Sequence, residues 1–411
     1  MTIPRLLADD VRLVLGDWRK MVFLSGPRQV GKTTLAKALL SEGAGRYFNW
    51  DVALDRKTLA KNPTFFENEL AGNAAKPPLV VFDELHKYGR WKSYLKGLYD
   101  GLGDRYAFMV TGSGRLDVYK RGGDSLLGRY MPLCLFPLSV AELAGRRATW
   151  ASFQRGMDEL DSARKADQDS FPSLMRLGGF PEPFLRGSDA FRRTWSAGRT
   201  ERLVREDIRD ATTLRELSLL EMLAHLLPDR VGSPLSLNSM REDLGVAFET
   251  VRSWVGVLDA FYYSFRLAPW TKKVARALRK EAKLYLWDWA DIEDEGPRHG
   301  ARFENLVALH LLKAVRTWTQ VGEASLDLSY IRDKQKREVD FVIAEKNRPR
   351  LLVECKLSDA TLSPHLLAFQ DALDVPHAVQ LVQQTGVARH TTIGKRSQWV
   401  VSADRWLAKL V

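Results

Sequence analysis

The residues best suited to chemistry lie near the start of the chain. Gly26-Pro27-Arg28-Gln29-Val30-Gly31-Lys32-Thr33 matches G-x-x-x-x-G-K-[ST] at every fixed position, and Thr34 continues the run. Glycines so placed let backbone N–H groups turn inward around phosphate. The lysine can then reach the β- and γ-phosphates, and the threonine hydroxyl can ligate Mg²⁺. A helix opening at this point adds its positive dipole end. Further along, four apolar residues run into two acids in Leu79-Val80-Val81-Phe82-Asp83-Glu84. Ligands of a parallel sheet bind at the carboxyl ends of its strands. There Asp83 would hold Mg²⁺ through water, and Glu84 would polarise the attacking water. A third apolar run ends in polar residues, Ala107-Phe108-Met109-Val110-Thr111-Gly112-Ser113. Thr111 and Ser113 are both candidates to contact the γ-phosphate or the water, and the sequence does not choose between them. In Ser125-Leu126-Leu127-Gly128-Arg129, the arginine is a candidate finger on a neighbouring subunit's nucleotide, with Arg115 as its competitor. The cofactors expected from these residues are ATP and Mg²⁺.

Such residues need a scaffold that points them at one place. Short, continuous apolar strands are expected at 21–25, 47–50, 79–82 and 107–110, with a helix at 33–40 directly after the loop. Strands of this kind alternating with helical patterns mean a parallel sheet covered on both faces, an α/β domain. The stretch 150–170 is more polar, and its charged run at 157–167 reads as surface. Gly178-Gly179-Phe180-Pro181-Glu182-Pro183 is a turn cluster. A helical region rich in Arg and Glu follows at 190–227, punctuated by Pro228 and Pro234.

The middle of the chain has the outline of a DNA reader. Residues 236–245 read as a helix ended by glycine and 246–258 as a second helix, with Val251, Val255 and Leu258 on one face. Helix, short glycine turn and helix is the helix-turn-helix pattern. The open face of the second helix would show Glu249, Thr250, Arg252 and Ser253. Strands at 261–267 and 283–289 could form a wing. Between them Lys272, Lys273, Arg276, Arg279, Lys280 and Lys283 stand against a single acid, Glu281, and form a basic connector able to grip phosphates.

A second reactive constellation lies in the last third, which alternates helix (303–317, 364–373) and strand (328–331, 339–344, 351–355, 378–382). Glu338-Val339-Asp340-Phe341-Val342-Ile343 and Leu351-Leu352-Val353-Glu354-Cys355-Lys356 read as the two strands of a hairpin turning at 345–349. Side chains alternate across a strand, so pairing can gather Asp340, Glu354 and Lys356 on one face. Two carboxylates suit a hard divalent cation such as Mg²⁺, and a lysine beside them can orient an attacking water. Glu304, on the preceding helix, could complete the cluster.

Together, GPRQVGKTT, VVFDELHK, VTGSGRLD and SLLGRYMPLCLFPLSVAEL resemble a large group of bacterial and archaeal AAA-type ATPases that carry a C-terminal domain of undefined function. The later segments GGFPEPF and ERLVREDI extend the resemblance over nearly the whole chain. One departure is His86, where that group usually has Gln two residues beyond the glutamate of the acidic pair. The C-terminal strands are similar to the PD-(D/E)xK nuclease superfamily, with Asp340 as the aspartate and Glu354-x-Lys356 as the E-x-K. Val339 takes the place of the proline often found before the aspartate. The resemblances imply three units. Residues 1–205 are expected to form an AAA-type P-loop ATPase domain with a helical extension, 206–278 a winged helix, and 279–411 a restriction-endonuclease-like α/β domain.

Composition sets the remaining bounds. The chain of 411 residues holds 62 Lys and Arg against 51 Asp and Glu, a net charge of +11, which favours a polyanionic partner. Its two cysteines form no CxxC pair, which disfavours disulfide scaffolds and zinc sites and fits a reducing cytoplasm. The first residues lack a signal-peptide pattern, and no uncharged apolar stretch approaches the ~20 residues that span a bilayer. The expectation is a cytoplasmic ATP-hydrolysing protein acting with DNA, not at a membrane, and working as a homo-oligomer if Arg129 acts in trans. A nucleotide-switched binding module without cleavage and an ATP-gated, Mg²⁺-dependent DNA nuclease are the alternatives.

Overall fold

The structure is a computed structural model that describes residues 3–73, 75–114, 126–157, 165–212, 214, 216–271 and 281–411. Arg115, Ser125, Lys272, Lys273, Arg276, Arg279 and Lys280 lie outside the described residues.

Five strands build the first sheet: β1 (Met21–Ser25), β2 (Gly45–Asn49), β3 (Leu79–Asp83), β4 (Ala107–Thr111) and β5 (Tyr130–Cys134). Their order is β2-β3-β4-β1-β5, and every neighbouring pair is parallel. The apolar runs are continuous because both faces are covered. Phe23, Val80, Phe82, Phe108 and Val110 point into one core with Phe48, Phe66 and Trp91. Val22, Leu24, Val81 and Met109 point the opposite way, into a core with Leu35 and Leu39 of helix Lys32–Leu40. This period of two within unbroken apolar runs is the mark of a doubly covered sheet. Because β4 lies between β1 and β3, the carboxyl ends of these three strands stand side by side. The edge strand β5 was not expected from the sequence.

Beyond β5 the chain is helical, through Lys165–Leu177, Asp189–Arg202 and Leu217–Leu226. Helix Asp189–Arg202 runs on into a π-helical turn, Leu203–Ile208. Helices Leu237–Leu244 and Phe248–Ala260 follow, joined at Gly245, which adopts the left-handed conformation. The Ser236 hydroxyl caps the first of them by accepting a hydrogen bond from Ser239 N. Strands β6 (Ser264–Leu267) and β7 (Lys283–Leu286) pair antiparallel. The division expected at 278/279 therefore runs through this hairpin.

The last third opens with helix Pro297–Gln320 and then lays down β8 (Leu326–Arg332), β9 (Glu338–Glu345), β10 (Arg348–Lys356), helix Pro364–Leu373, β11 (His377–Val382), β12 (Ala388–Ile393) and β13 (Arg396–Ser402). The sheet order is β12-β13-β11-β10-β9-β8. Strands β8, β9 and β10 are antiparallel neighbours, whereas β10, β11 and β13 run parallel. One apolar core extends without a break from Cys134 to Val411, so the segments after the first sheet share an interior. A buried ion network fastens them to the start of the chain: Glu142 accepts from Arg5 Nε at 2.9 Å and from Lys313 Nζ at 2.9 Å. Among the described residues, no helix is long and apolar enough to cross a membrane.

Candidate functional site

The loop after β1 wraps a vacant helix end. Gly26 stands at φ 146° and Gly31 at φ 103°, values that side-chain-bearing residues rarely adopt. A Cβ on Gly26 would also collide with the backbone of Leu135. Gly31 is the N-cap of helix Lys32–Leu40, and no side chain caps it. The first N–H groups of the helix are therefore available to an anion. Lys32 is buried, and its ammonium donates to the carbonyls of Gly26 at 2.9 Å and Pro27 at 2.8 Å. Burial lowers its pKa from the ordinary value.

Asp83, at the end of β3, is held from three elements. Thr33 Oγ1 donates to its Oδ2 at 3.0 Å, Tyr47 of β2 donates to the same oxygen, and Thr111 of β4 donates to Oδ1. The hydroxyl–carboxylate set of Thr33 and Asp83 is oxygen-only, the donor chemistry that Mg²⁺ takes. These contacts separate the two polar candidates on β4. The Thr111 hydroxyl is engaged in fixing Asp83, whereas Ser113 lines the open cleft, about 990 Å³ in volume, into which Lys32, Thr33 and Glu84 also face.

Glu84 takes the left-handed conformation at φ 57°, which swings its side chain off the strand and into the cleft. Burial pushes its carboxyl up to about 7. The Lys32 and Lys87 ammoniums oppose that rise, and Asp83 adds to it. His86 is buried with its Nε2 3.5 Å from Glu84, and burial lowers its pKa to about 4. At neutral pH it is an uncharged neighbour of the glutamate.

Residues with no motif complete the cleft. Arg28, at the tip of the loop, meets Glu206 at 2.9 Å and Asp207 at 2.8 Å on the π-helical turn. Asp207 also lines the cleft, and its pKa is raised by burial against the lowering effect of Arg28. Nothing local in the sequence marks Tyr47 or Asp207. Their roles follow from strand order and from a contact spanning 179 residues. Arg129 lies elsewhere. It immediately precedes β5, whose first residue pairs with the first residue of β1, so it sits at the sheet edge opposite the loop, ion-paired to Asp100 at 2.6 Å.

In the C-terminal sheet, β9 and β10 form the expected antiparallel pair. Cys355 N donates to Asp340 Oδ2 at 2.9 Å, and Lys356 Nζ meets Glu354 Oε1 at 2.8 Å, so Asp340, Glu354 and Lys356 are neighbours. Burial and the Asp340 charge raise the Glu354 carboxyl to about 7. Glu304 joins them from helix Pro297–Gln320, but its partners are Lys283 Nζ at 3.2 Å and Tyr285 Oη at 2.7 Å. Lys283 is thus no part of an exposed basic connector. It is buried on β7, with its ammonium also 2.6 Å from Glu338 and 3.4 Å from Asp340. Among the described residues, no group of three or more His, Cys, Asp or Glu is arranged to hold a metal ion. The cluster as folded does not fit the divalent cation expected there.

Comparison with known proteins agrees with this division of the chain. Residues 18–144 match the AAA domain, 168–290 a domain of unknown function (DUF8612), and 299–406 another (DUF4143). Uncharacterized proteins of Mycobacterium tuberculosis and Mycobacterium bovis are each 24% identical over 346 residues, spanning 80% of this chain and 68% of theirs. A Walker-type ATPase of Pyrococcus abyssi is similar at 14% identity over 71% of this chain and 95% of its own, with a TM-score of 0.43. The first third of the chain is an AAA-type domain with the parallel sheet of a P-loop ATPase, continued by two domains of unknown function.

Proposed function

We propose that this chain binds ATP with Mg²⁺ at residues 26–34 and hydrolyses it with Asp83, Glu84 and Ser113. The observation that carries this reading is convergence. An uncapped helix end, a lysine, a hydroxyl–carboxylate pair and a buried glutamate that titrates near neutrality all face one cleft. The loop N–H groups hold the β- and γ-phosphates, and Lys32 exchanges the Gly26 and Pro27 carbonyls for phosphate oxygens. Thr33 and Asp83 hold Mg²⁺, which when bound offsets charge on the phosphates. Glu84 orients the attacking water and takes its proton, a task suited to a group poised near the working pH. Tyr47 and Thr111 fix the Asp83 carboxylate, so that it need not reorganise during the reaction.

The test is phosphate release. Lys32→Ala should abolish turnover, and Glu84→Gln should retain bound ATP while turning it over at least 100-fold more slowly. If both variants hydrolyse ATP like the parent, the site is misassigned. If the parent itself binds ATP without turnover, the chain is instead a nucleotide-controlled binding module. In this reading Arg129 acts only on a neighbouring subunit, since its own loop lies at the other edge of the sheet.

A second reading adds DNA as a partner. It is favoured by the turn at Gly245 between two helices, followed by the β6–β7 hairpin, with Glu249, Arg252 and Ser253 on the exposed side of the second helix. Phosphate contacts release counterions, so binding should weaken steeply with salt. Neutralising Lys272, Lys273, Arg276 and Arg279 should flatten that slope. A gel shift unchanged in this variant removes the basic segment from the reading.

A further inference from the structure

The C-terminal carboxylates are gathered around a cation that the chain itself supplies. Lys283 enters from the β6–β7 hairpin, outside the sheet that carries Glu338 and Asp340, and is 1% exposed. Its Nζ lies 2.6 Å from Glu338, 3.2 Å from Glu304 and 3.4 Å from Asp340. A lysine ammonium is a compact charge with three donors, and here it meets three carboxylates. The rest of the shell is closed as well. Glu304 Oε1 takes a second hydrogen bond, 2.7 Å, from Tyr285. Its Oε2 faces Gly232, where even a Cβ would stand 3.3 Å away. Asp340 Oδ2 accepts from Cys355 N. A divalent ion needs several free oxygens at roughly 2.0–2.6 Å, and it would have to share this shell with a like charge.

We propose that the Lys283 ammonium takes the position of a divalent metal in this cluster, making the C-terminal sheet a metal-independent module latched to the β6–β7 hairpin rather than a nuclease centre. The hairpin is itself fixed at this point. Pro234 bridges to Lys283, and Leu284 N donates to Ser233 O at 3.2 Å. The ion cluster thereby joins the middle of the chain to the final sheet through one buried charge. Glu354 makes the proposal sharply testable. Its Oε2 is buried without a hydrogen-bond partner among the described residues, and a metal bound in the native protein would use it.

The experiment is Mn²⁺ titration of the full chain without nucleotide, followed by electron paramagnetic resonance, with plasmid cleavage assayed in parallel. The parent and Asp340→Asn should bind the same number of Mn²⁺ ions, and neither should cut DNA. Lys283→Met removes the internal cation and should gain one Mn²⁺ site, at least tenfold tighter than any in the parent. Adding Asp340→Asn to Lys283→Met should abolish that site. A Mn²⁺ site in the parent that Asp340→Asn removes, or metal-dependent cleavage by the parent, overturns the proposal. A folded Lys283→Met variant that gains no site overturns it equally. Should Lys283→Met fail to fold, the comparison of the parent with Asp340→Asn still decides.

Discussion

Glu84→Gln is expected to make the nucleotide-free protein more stable while stopping its chemistry. The Glu84 side chain is 19% exposed, and burial is the main reason its carboxyl rises from an ordinary 4.5 to about 7. A carboxyl raised in the folded state opposes folding once it must ionise. Below about pH 4.5 it is protonated in both states and has no effect. Between about 4.5 and 7 the unfolded chain ionises it while the folded chain keeps it neutral, so stability falls as pH rises through that window and levels off above it. At about 1.4 kcal/mol per pH unit, the full cost above pH 7 is about 3 kcal/mol. Glutamine keeps the shape and never carries the charge. The variant should therefore gain up to about 3 kcal/mol at pH 8 and under about 1 kcal/mol at pH 5. In a thermal melt the gain at pH 8 corresponds to roughly 6–12 °C for a domain of this size. Melting both proteins across pH 5 to 8 without nucleotide gives the answer. A difference that stays constant with pH, or a variant less stable at pH 8, would refute the claim that Glu84 carries a buried ionisation cost. The opposite signs of the stability and activity effects are what a strained catalytic group should show.

Two further outcomes follow from the walls of the cleft. Asp207→Asn removes an acid that faces the phosphate site and loosens its hold on Arg28, so the KM for ATP should fall roughly threefold to tenfold, about 1 kcal/mol for a partly exposed pair. Steady-state kinetics checks this, and an unchanged or higher KM counts against it. If Arg129 acts in trans, turnover per subunit should rise with protein concentration, and Arg129→Ala subunits should depress mixed assemblies more than in proportion. Concentration-independent turnover by a monomer rules the finger out.

The phosphate loop was legible because its parts are contiguous. One strand, two glycines, a lysine and a helix form within a dozen residues, and each dictates the next. The acidic pair was legible because β3 is doubly buried and stops where Asp83 begins the cleft. What local pattern could not reveal was sideways order. Tyr47 meets Asp83 only because β2 pairs with β3, and Thr111 because β4 was inserted between β3 and β1. Edge strand β5 was hidden by Pro132, a residue that central strands exclude but an edge tolerates. Glu206 and Asp207 looked like solvated helix charges until the π-helical turn set them against Arg28.

The C-terminal cluster shows the other limit of reading strands by alternation. Alternation placed Asp340 and Glu354 as neighbours, and they are. It says nothing about what reaches that face from another part of the fold. Lys283 sat in a run of positive charge, and in such a run every lysine reads as surface. Its neighbours on β7 decide otherwise, because Leu284, Tyr285 and Leu286 are all buried, and a strand buried on both faces must take its lysine inside with it. A buried ammonium needs paired carboxylates or it does not stay charged. With Glu304, Glu338 and Asp340 opposite, the charge is kept: burial lowers the Lys283 pKa, and the three carboxylates more than reverse it. Removing one member of such a cluster costs more than never having had it, because the others stay buried and unpaired. Selection for the latch alone is therefore sufficient to hold an acid–acid–lysine pattern in place, without any chemistry performed on a phosphodiester.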